Sequence, residues 1–373
     1  MRVLVPGSLG VAALVAFGVG ASVVGQESGG SAPALTIREY KPRSTLVVPQ
    51  HPVPRAKFAV IDVHSHHSNV PTGARLDELV AEMDRLNLRV LVNLSGGTGA
   101  RLASGLAAIK ASRHADRMVF FANLDFRDLD EPGYGARAAA RLEADVKAGA
   151  VGLKIFKNFG LHLQRKDGRR VPTDDPEFDP VWQACARLGI PVLIHTGEPQ
   201  AFFDPVDVHN ERWLELQLRP QNRLSPDRFP TFDALSAERD RLFAKHPKTT
   251  FIVAHFGWHA NDLTRLASML DRLPNIVVET GAILHELGRQ PRGAAAFFAK
   301  YQDRILFGKD RYDASEFPYF FRVFETSDEY FDYYRDYHAF WKLYGLGLPD
   351  GVLKKVYHQN ALRIVPGLPR VGS

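Results

Sequence analysis

Beyond residue 56 the chain alternates short apolar runs with longer stretches in which apolar residues recur every three or four positions. The runs are FAVIDVHSH (58–66), LRVLVNLS (88–95), RMVFFANLD (117–125), AVGLKIFK (150–157), IPVLIHT (190–196), TTFIVAH (249–255), NIVVETG (275–281) and RILFGKD (304–310). Continuous apolar runs of this length predict buried strands. Between the first two, Leu76, Leu79, Val80, Met83 and Leu86 fall on one helical face. Comparable patterns at 100–113, 135–147, 177–188, 233–245, 261–272, 289–301 and 351–363 predict a helix after every strand. Strictly alternating strands and helices, eight of each, predict a (β/α)8 barrel of the TIM type. An open, doubly wound sheet is the alternative. It is weakened because no strand leads into a glycine-rich dinucleotide or P-loop signature.

Two connections exceed simple turns. Residues 196–232 follow the fifth strand and 311–349 follow the eighth, the latter dense in Phe and Tyr and containing Trp341. Long loops after barrel strands shape the active-site face. For the second segment, an extra pair of core-packing helices is an equal reading.

The N-terminal segment has a different pattern. One early Arg, an apolar run and small residues precede a polar break in MRVLVPGSLGVAALVAFGVGASVVGQES. This is the pattern of a secretory signal peptide over residues 1–25, cleaved before Gln26. Residues 26–55, rich in Gly, Ser, Pro and charge, read as a linker or N-terminal arm, which leaves 56–373 as the barrel. The expected location is periplasmic or secreted, with no stable membrane insertion after cleavage. An uncleaved anchor is the alternative. The net charge of +5 is spread among acids, without a basic block, so nucleic acid is not an expected partner. Cys185 is the single cysteine, which excludes an internal disulfide.

Polar residues interrupt the strands at particular places. His64 and His66 end the first, Lys154 lies in the fourth, His195 ends the fifth, His255 the sixth and Asp310 the eighth. In a barrel these strand ends converge on one face. Imidazole and carboxylate are ligands for zinc, manganese and iron, so the set predicts a metal site. Strict alternation along the first strand puts Asp62, His64 and His66 on one face and Val63, Ser65 and His67 on the other.

D-x-H-x-H at 62–66, His195, His255 and F-G-x-D at 307–310, in this order, resemble the amidohydrolase superfamily. NALRI at 360–364 is similar to the C-terminal helix of its amidohydrolase-related branch. The resemblance spans about residues 56–368. It implies a distorted (β/α)8 barrel and one or two divalent ions, zinc first, with manganese or iron as alternatives. By the same resemblance His64, His66 and His195 are metal ligands. His255 either holds a second ion or polarises substrate. Asp310 binds metal and carries the proton of the attacking water. GLKIFK resembles the segment in hydantoinase-like and dihydroorotase-like members where a carboxylated Lys bridges two ions, a role that falls on Lys154. Lys309 departs from the Thr or Ser usual before the aspartate, and pairs with substrate or with a neighbouring carboxylate.

The implied reaction is hydrolysis of an amide, ester or lactone-type bond in a small molecule, with Asp310 and His255 as the catalytic groups. The alternative, from the same branch, is decarboxylation of an aromatic or unsaturated acid. A binding protein on a degenerate barrel is disfavoured by the intact ligand set. Glu198, Arg212, Trp258 and His259 are candidate substrate contacts, with Glu279 a further residue near the rim. Asp62 is expected to orient its neighbours and His67 to be structural. A homo-oligomer stays open.

Overall fold

The structure is a computed structural model that describes residues 35–371 apart from 38 and 339. The expected signal peptide, and the arm up to residue 34, lie outside the described residues. The chain divides into two units, Met1–Arg43 and Ser44–Ser373. In the first, Thr36 Oγ1 donates to Glu39 Oε2 (2.8 Å), closing a turn. The second begins with an extended stretch in which the His51 amide donates to Asp328 (2.7 Å) and Val53 packs on the core.

Each predicted run carries a strand: β1 (Val60–Ser65), β2 (Leu88–Asn93), β3 in two pieces (Met118–Phe120 and Ala122–Asn123), β4 (Leu153–Ile155), β5 (Val192–Ile194), β6 (Phe251–Val253), β7 (Ile276–Glu279) and β8 (Ile305–Leu306). All neighbouring pairs are parallel, in sequential order. The break in β3 separates a three-stranded from a six-stranded sheet. Backbone bonds bring the outer edges together. The Val63 amide donates to Phe307 O (3.0 Å) and the Asp310 amide to His64 O (2.7 Å).

The longer helices between strands are α1 (Gly73–Leu86), α2 (Gly99–Lys110), α3 (Tyr134–Ala148), α4 (Asp179–Leu188), α5 (Phe232–Lys245), α6 (Leu263–Arg272) and α7 (Pro291–Lys300). Side-chain alternation divides the core. Val192, Ile194, Phe251, Val253, Ile276 and Val278 pack outward with helical residues such as Trp182, Leu266 and Phe298. Leu193, Ile252, Val277 and Leu306 face inward together with Ile61, Val63, Val90 and Val92. Ala361 and Val365 of the C-terminal segment join this inner cluster.

The segment after β8 combines both of its readings. Its helix α8 (Phe317–Glu325) buries Phe317, Phe320, Phe321 and Phe324 completely. At about 1.5–3 kcal/mol for each buried aromatic, this face anchors the whole connection to the core. The rest forms a short antiparallel pair, β9 (Phe331–Asp332) and β10 (Lys342–Leu343), whose connecting residues reach the strand C-terminal end of the barrel.

Candidate metal centre

Inward alternation along four strands delivers polar groups to one end. Lys154 lies on the inner face of β4, where it pairs in register with Leu193. His195 follows Leu193, Glu279 follows Val277 and Asp310 follows Leu306, each on the inward parity. His64 and His255 have the wrong parity. Val63 and Ala254 face inward, so regular strands would send both imidazoles out toward the helices. Two irregularities reverse this. The β1 register shifts between Asp62 and Ser65, and such a bulge re-aims a side chain. After β6, His255, Phe256, Gly257 and Trp258 adopt consecutive left-handed conformations, with φ of 57°, 53°, 63° and 58°. Left-handed backbone costs about 1–3 kcal/mol at each non-glycine residue. The turn swings both His255 and Trp258 over the barrel end.

The result is a tight cluster. His64 Nε2 lies 3.1 Å from His66 Nε2, and each lies 3.4 Å from Asp310 Oδ1. His255 Nε2 lies 3.4 Å from His195 Nδ1, and the His64 and His255 rings stack at 5.0 Å. Lys154 is buried below, its Nζ without a hydrogen-bond partner among the described residues.

The outer ring nitrogens fix the tautomers. His255 Nδ1 is 2.8 Å from Gly281 O, which can only accept, so this nitrogen carries the proton. His64 Nδ1 donates to Glu279 Oε1 (2.9 Å), and His66 Nδ1 faces Ser95 Oγ (2.7 Å). The Nε2 lone pairs of His64 and His255 therefore point into the cluster. They meet His66 Nε2 (3.1 Å), His195 Nδ1 (3.4 Å) and the Asp310 carboxylate (3.4 Å), a convergence of imidazole nitrogens and a carboxylate oxygen. The donor set thus fits a divalent ion.

The surroundings keep these imidazoles neutral and Asp310 ionised, the states in which such groups bind a metal. Burial pushes His195 and His255 down to about 4 and His64 well below the usual imidazole range. Burial acts to raise the Asp310 carboxyl, but the surrounding imidazoles, His64 foremost, outweigh it and hold the group well below the carboxylate range. Burial lowers Lys154 to about 8, which favours the neutral amine. In the metal-free protein, then, His195 and His255 stay neutral as pH falls past the ordinary imidazole value of about 6.5 and protonate only near 4. Histidine ring NMR titration measures this directly. Midpoints near 6.5 would contradict the burial that sets them.

Second-layer groups hold this geometry. Glu279, fully buried, accepts the His255 amide (2.7 Å) and the Gly281 amide (2.6 Å) besides the His64 ring. Asp62 accepts the amides of His64 (3.0 Å) and Lys309 (3.1 Å). Lys309 bonds Glu316, so its charge goes to a neighbouring carboxylate. His67 contacts Ser65 Oγ and lies on the ring of Tyr312, outside the cluster.

A cavity of about 390 Å³ opens over the cluster, lined by His195, His255, Asp310, Trp258, Glu198 and Arg212 among others. Trp258 stacks on His255, with ring centroids 4.4 Å apart. Glu198 bonds Lys157 and lies 3.7 Å from His195. Arg212 is buried in a network with Glu215 (2.7 Å), Glu286 (3.2 Å), His285 (2.6 Å) and His338 (2.8 Å), so its guanidinium is already engaged. His259 does not line the cavity. It packs on Phe232 and receives Arg239 Nη2 at 3.1 Å.

The sequence matches the amidohydrolase family over residues 61–367. The chain belongs to the amidohydrolase family. No curated protein sequence matches it. Similar solved structures include an uncharacterised TIM-barrel protein from Bordetella bronchiseptica, 16% identical over 82% of this chain and 98% of that one, with a TM-score of 0.50. An amidohydrolase-type protein from Staphylococcus aureus is 15% identical over 83% and 99%, also at 0.50. A 2,6-dihydroxybenzoate decarboxylase is 17% identical over 82% and 99%, at 0.49. The first two agree with the barrel fold. Amidohydrolases are metal-dependent enzymes. In this amidohydrolase the ligand atoms of His64, His255 and Asp310 all lie within 4.8 Å of one another. No described helix is long and apolar enough to cross a membrane.

Proposed function

We propose that this amidohydrolase is an exported hydrolase that uses one or two divalent ions, zinc first, to cleave an amide, ester or lactone-type bond in a small carboxylate-bearing substrate. The reading rests on one observation above all: tautomer-fixed imidazoles and an ionised Asp310 converge at the floor of a cavity. Export rests on the apolar run at residues 1–25.

His64, His66, His195, His255 and Asp310 would hold the metal. A bound divalent ion supplies Lewis acidity, polarising a carbonyl and making water easier to deprotonate at neutral pH. Asp310 accepts the proton of the attacking water and returns it to the leaving group. His255 has its proton on Nδ1, committed to Gly281, and no Nε2 proton to offer an oxyanion. Of its two implied roles, ligand therefore fits better than oxyanion donor. Lys154, dry and unpartnered, governs the ion count. Carboxylated, it would add ligand oxygens for a second ion; as an amine, it would leave a one-ion site.

The substrate class follows from charge. The cavity's acids are largely committed: Glu198 to Lys157, Glu215 to Arg212, Glu316 to Lys309. Arg219, Arg311 and Arg335 line the same cavity with no carboxylate partner among the described residues. Arg219 and Arg335 lie over the rings of Tyr337 and Tyr334, which leaves their N–H edges able to meet an incoming carboxylate.

The same arginines favour decarboxylation as the second reading, since a gripped carboxylate is also the group that reaction removes. Turnover of lactones, esters and amides, with and without a carboxylate, in ¹⁸O-water separates the two. Hydrolysis places one ¹⁸O in the product acid, and carboxylate-bearing substrates react faster. Release of CO₂ without label uptake would replace the hydrolase reading with the lyase.

A further inference from the structure

The left-handed turn after β6 is the device that turns His255 and Trp258 inward, and something must hold it. Phe256, inside the turn, is fully buried in the helix-facing core. The turn's backbone is gripped from outside by one side chain. Arg239 on α5, 1% exposed, donates from Nη1 to Gly257 O (2.9 Å) and from Nη2 to His259 Nε2 (3.1 Å). It thus engages the turn at its third residue and just past its end. The guanidinium is itself fixed by Asp240 Oδ1 (3.0 Å), which belongs to the same helix, and by Met269 Sδ (3.2 Å) on α6. The fit leaves no slack. A Cβ added at Gly257 would lie 2.7 Å from Arg239 Nη1.

A buried guanidinium with one adjacent carboxylate is costly to keep in a core. Its donors here go to the segment whose backbone is strained. We propose that Arg239 is a positioning residue for the reaction: it holds the left-handed turn that presents His255 to the metal cluster and Trp258 to the cavity. Arg239 touches neither metal ligand nor cavity. It acts through the Gly257 carbonyl and the His259 ring. The claim rests on the proposed metal role of His255, and its tests separate failure of that role from failure of the clamp.

Three variants test it: Arg239→Met, Arg239→Lys and Gly257→Ala. Lysine keeps a donor if methionine does not fold, and Gly257→Ala crowds the guanidinium from the turn's side while also placing a β-carbon on a left-handed residue, so it loosens the same segment by a second route. The first readout needs no metal: hydrogen exchange of the peptide covering residues 254–260. Arg239→Met is expected to lose protection selectively there, with other core peptides unchanged. The second is titration of the metal-free protein with cobalt(II), read by its visible spectrum. Affinity should fall about tenfold or more, as for other groups that orient ligands, with an altered spectrum. Arg239→Lys should fall between wild type and Arg239→Met. Selective loosening with an unchanged cobalt spectrum would confirm the clamp but remove His255 from the metal site. Protection at 254–260 equal to wild type in a folded variant would overturn the proposal, as would a loss spread evenly over the whole core.

Discussion

Asp310→Asn lowers turnover by about 10²- to 10⁴-fold, the range for loss of a general base, while the protein still takes up metal. The amide keeps the volume and one oxygen, so the cluster of His64, His66 and His255 is left in place. What it loses is the ionised carboxylate, which the surrounding imidazoles now hold well below its usual range against the effect of burial. That low range keeps Asp310 ionised at any pH near neutrality. Its backbone, at φ 85°, is itself pinned by an amide bond to His64 O, and Asn tolerates left-handed backbone nearly as well as Asp. The comparison is kcat and metal content measured on the same preparations. Near-normal kcat would remove Asp310 as the proton carrier. Loss of kcat together with all metal would make it chiefly a ligand.

His64→Ala should have the larger effect. Of the cluster, this ring alone touches His66, Asp310, His255 and Glu279 together. Its removal takes one nitrogen from the proposed metal site and one of three hydrogen bonds from the fully buried Glu279. Groups that merely orient ligands change metal affinity by about 10- to 100-fold, so a direct ligand should exceed the upper end. Turnover should fall to the background of chelator-treated wild type, because a divalent ion would no longer be held to lower the pKa of an attacking water. Metal titration and kcat check both. Wild-type affinity in a folded His64→Ala protein would place the metal elsewhere.

Much of this was legible in the sequence because buried barrel strands are continuous apolar runs and their helices carry a clear 3.6-residue pattern. All eight runs became strands. Residues on regular parity, such as Lys154 and His195, could be placed by alternation alone. The backbone irregularities could not. Alternation places His64 beside Asp62, and nothing in the sequence marks the register shift that turns it inward. AHFGW contains one glycine, whereas four residues are left-handed. Glu279 reads as a rim residue from its strand-end position, yet it is the buried acceptor that ties His64 to His255. Arg212 and His259 read as substrate contacts for the same reason. Long-range partners that only folding supplies, Glu215 and Glu286 for one and Arg239 for the other, engage both.

Anomalous X-ray diffraction at the metal absorption edge, from crystals of the protein reconstituted with zinc, tests the central claim most directly. The account predicts a peak bonded to Nε2 of His64 and His66 and to the Asp310 carboxylate, at about 2.0–2.2 Å. A second peak beside His195, His255 and a carboxylated Lys154 would establish the two-ion form. Zinc bound only at other positions, with the imidazoles bridged by water, would contradict it.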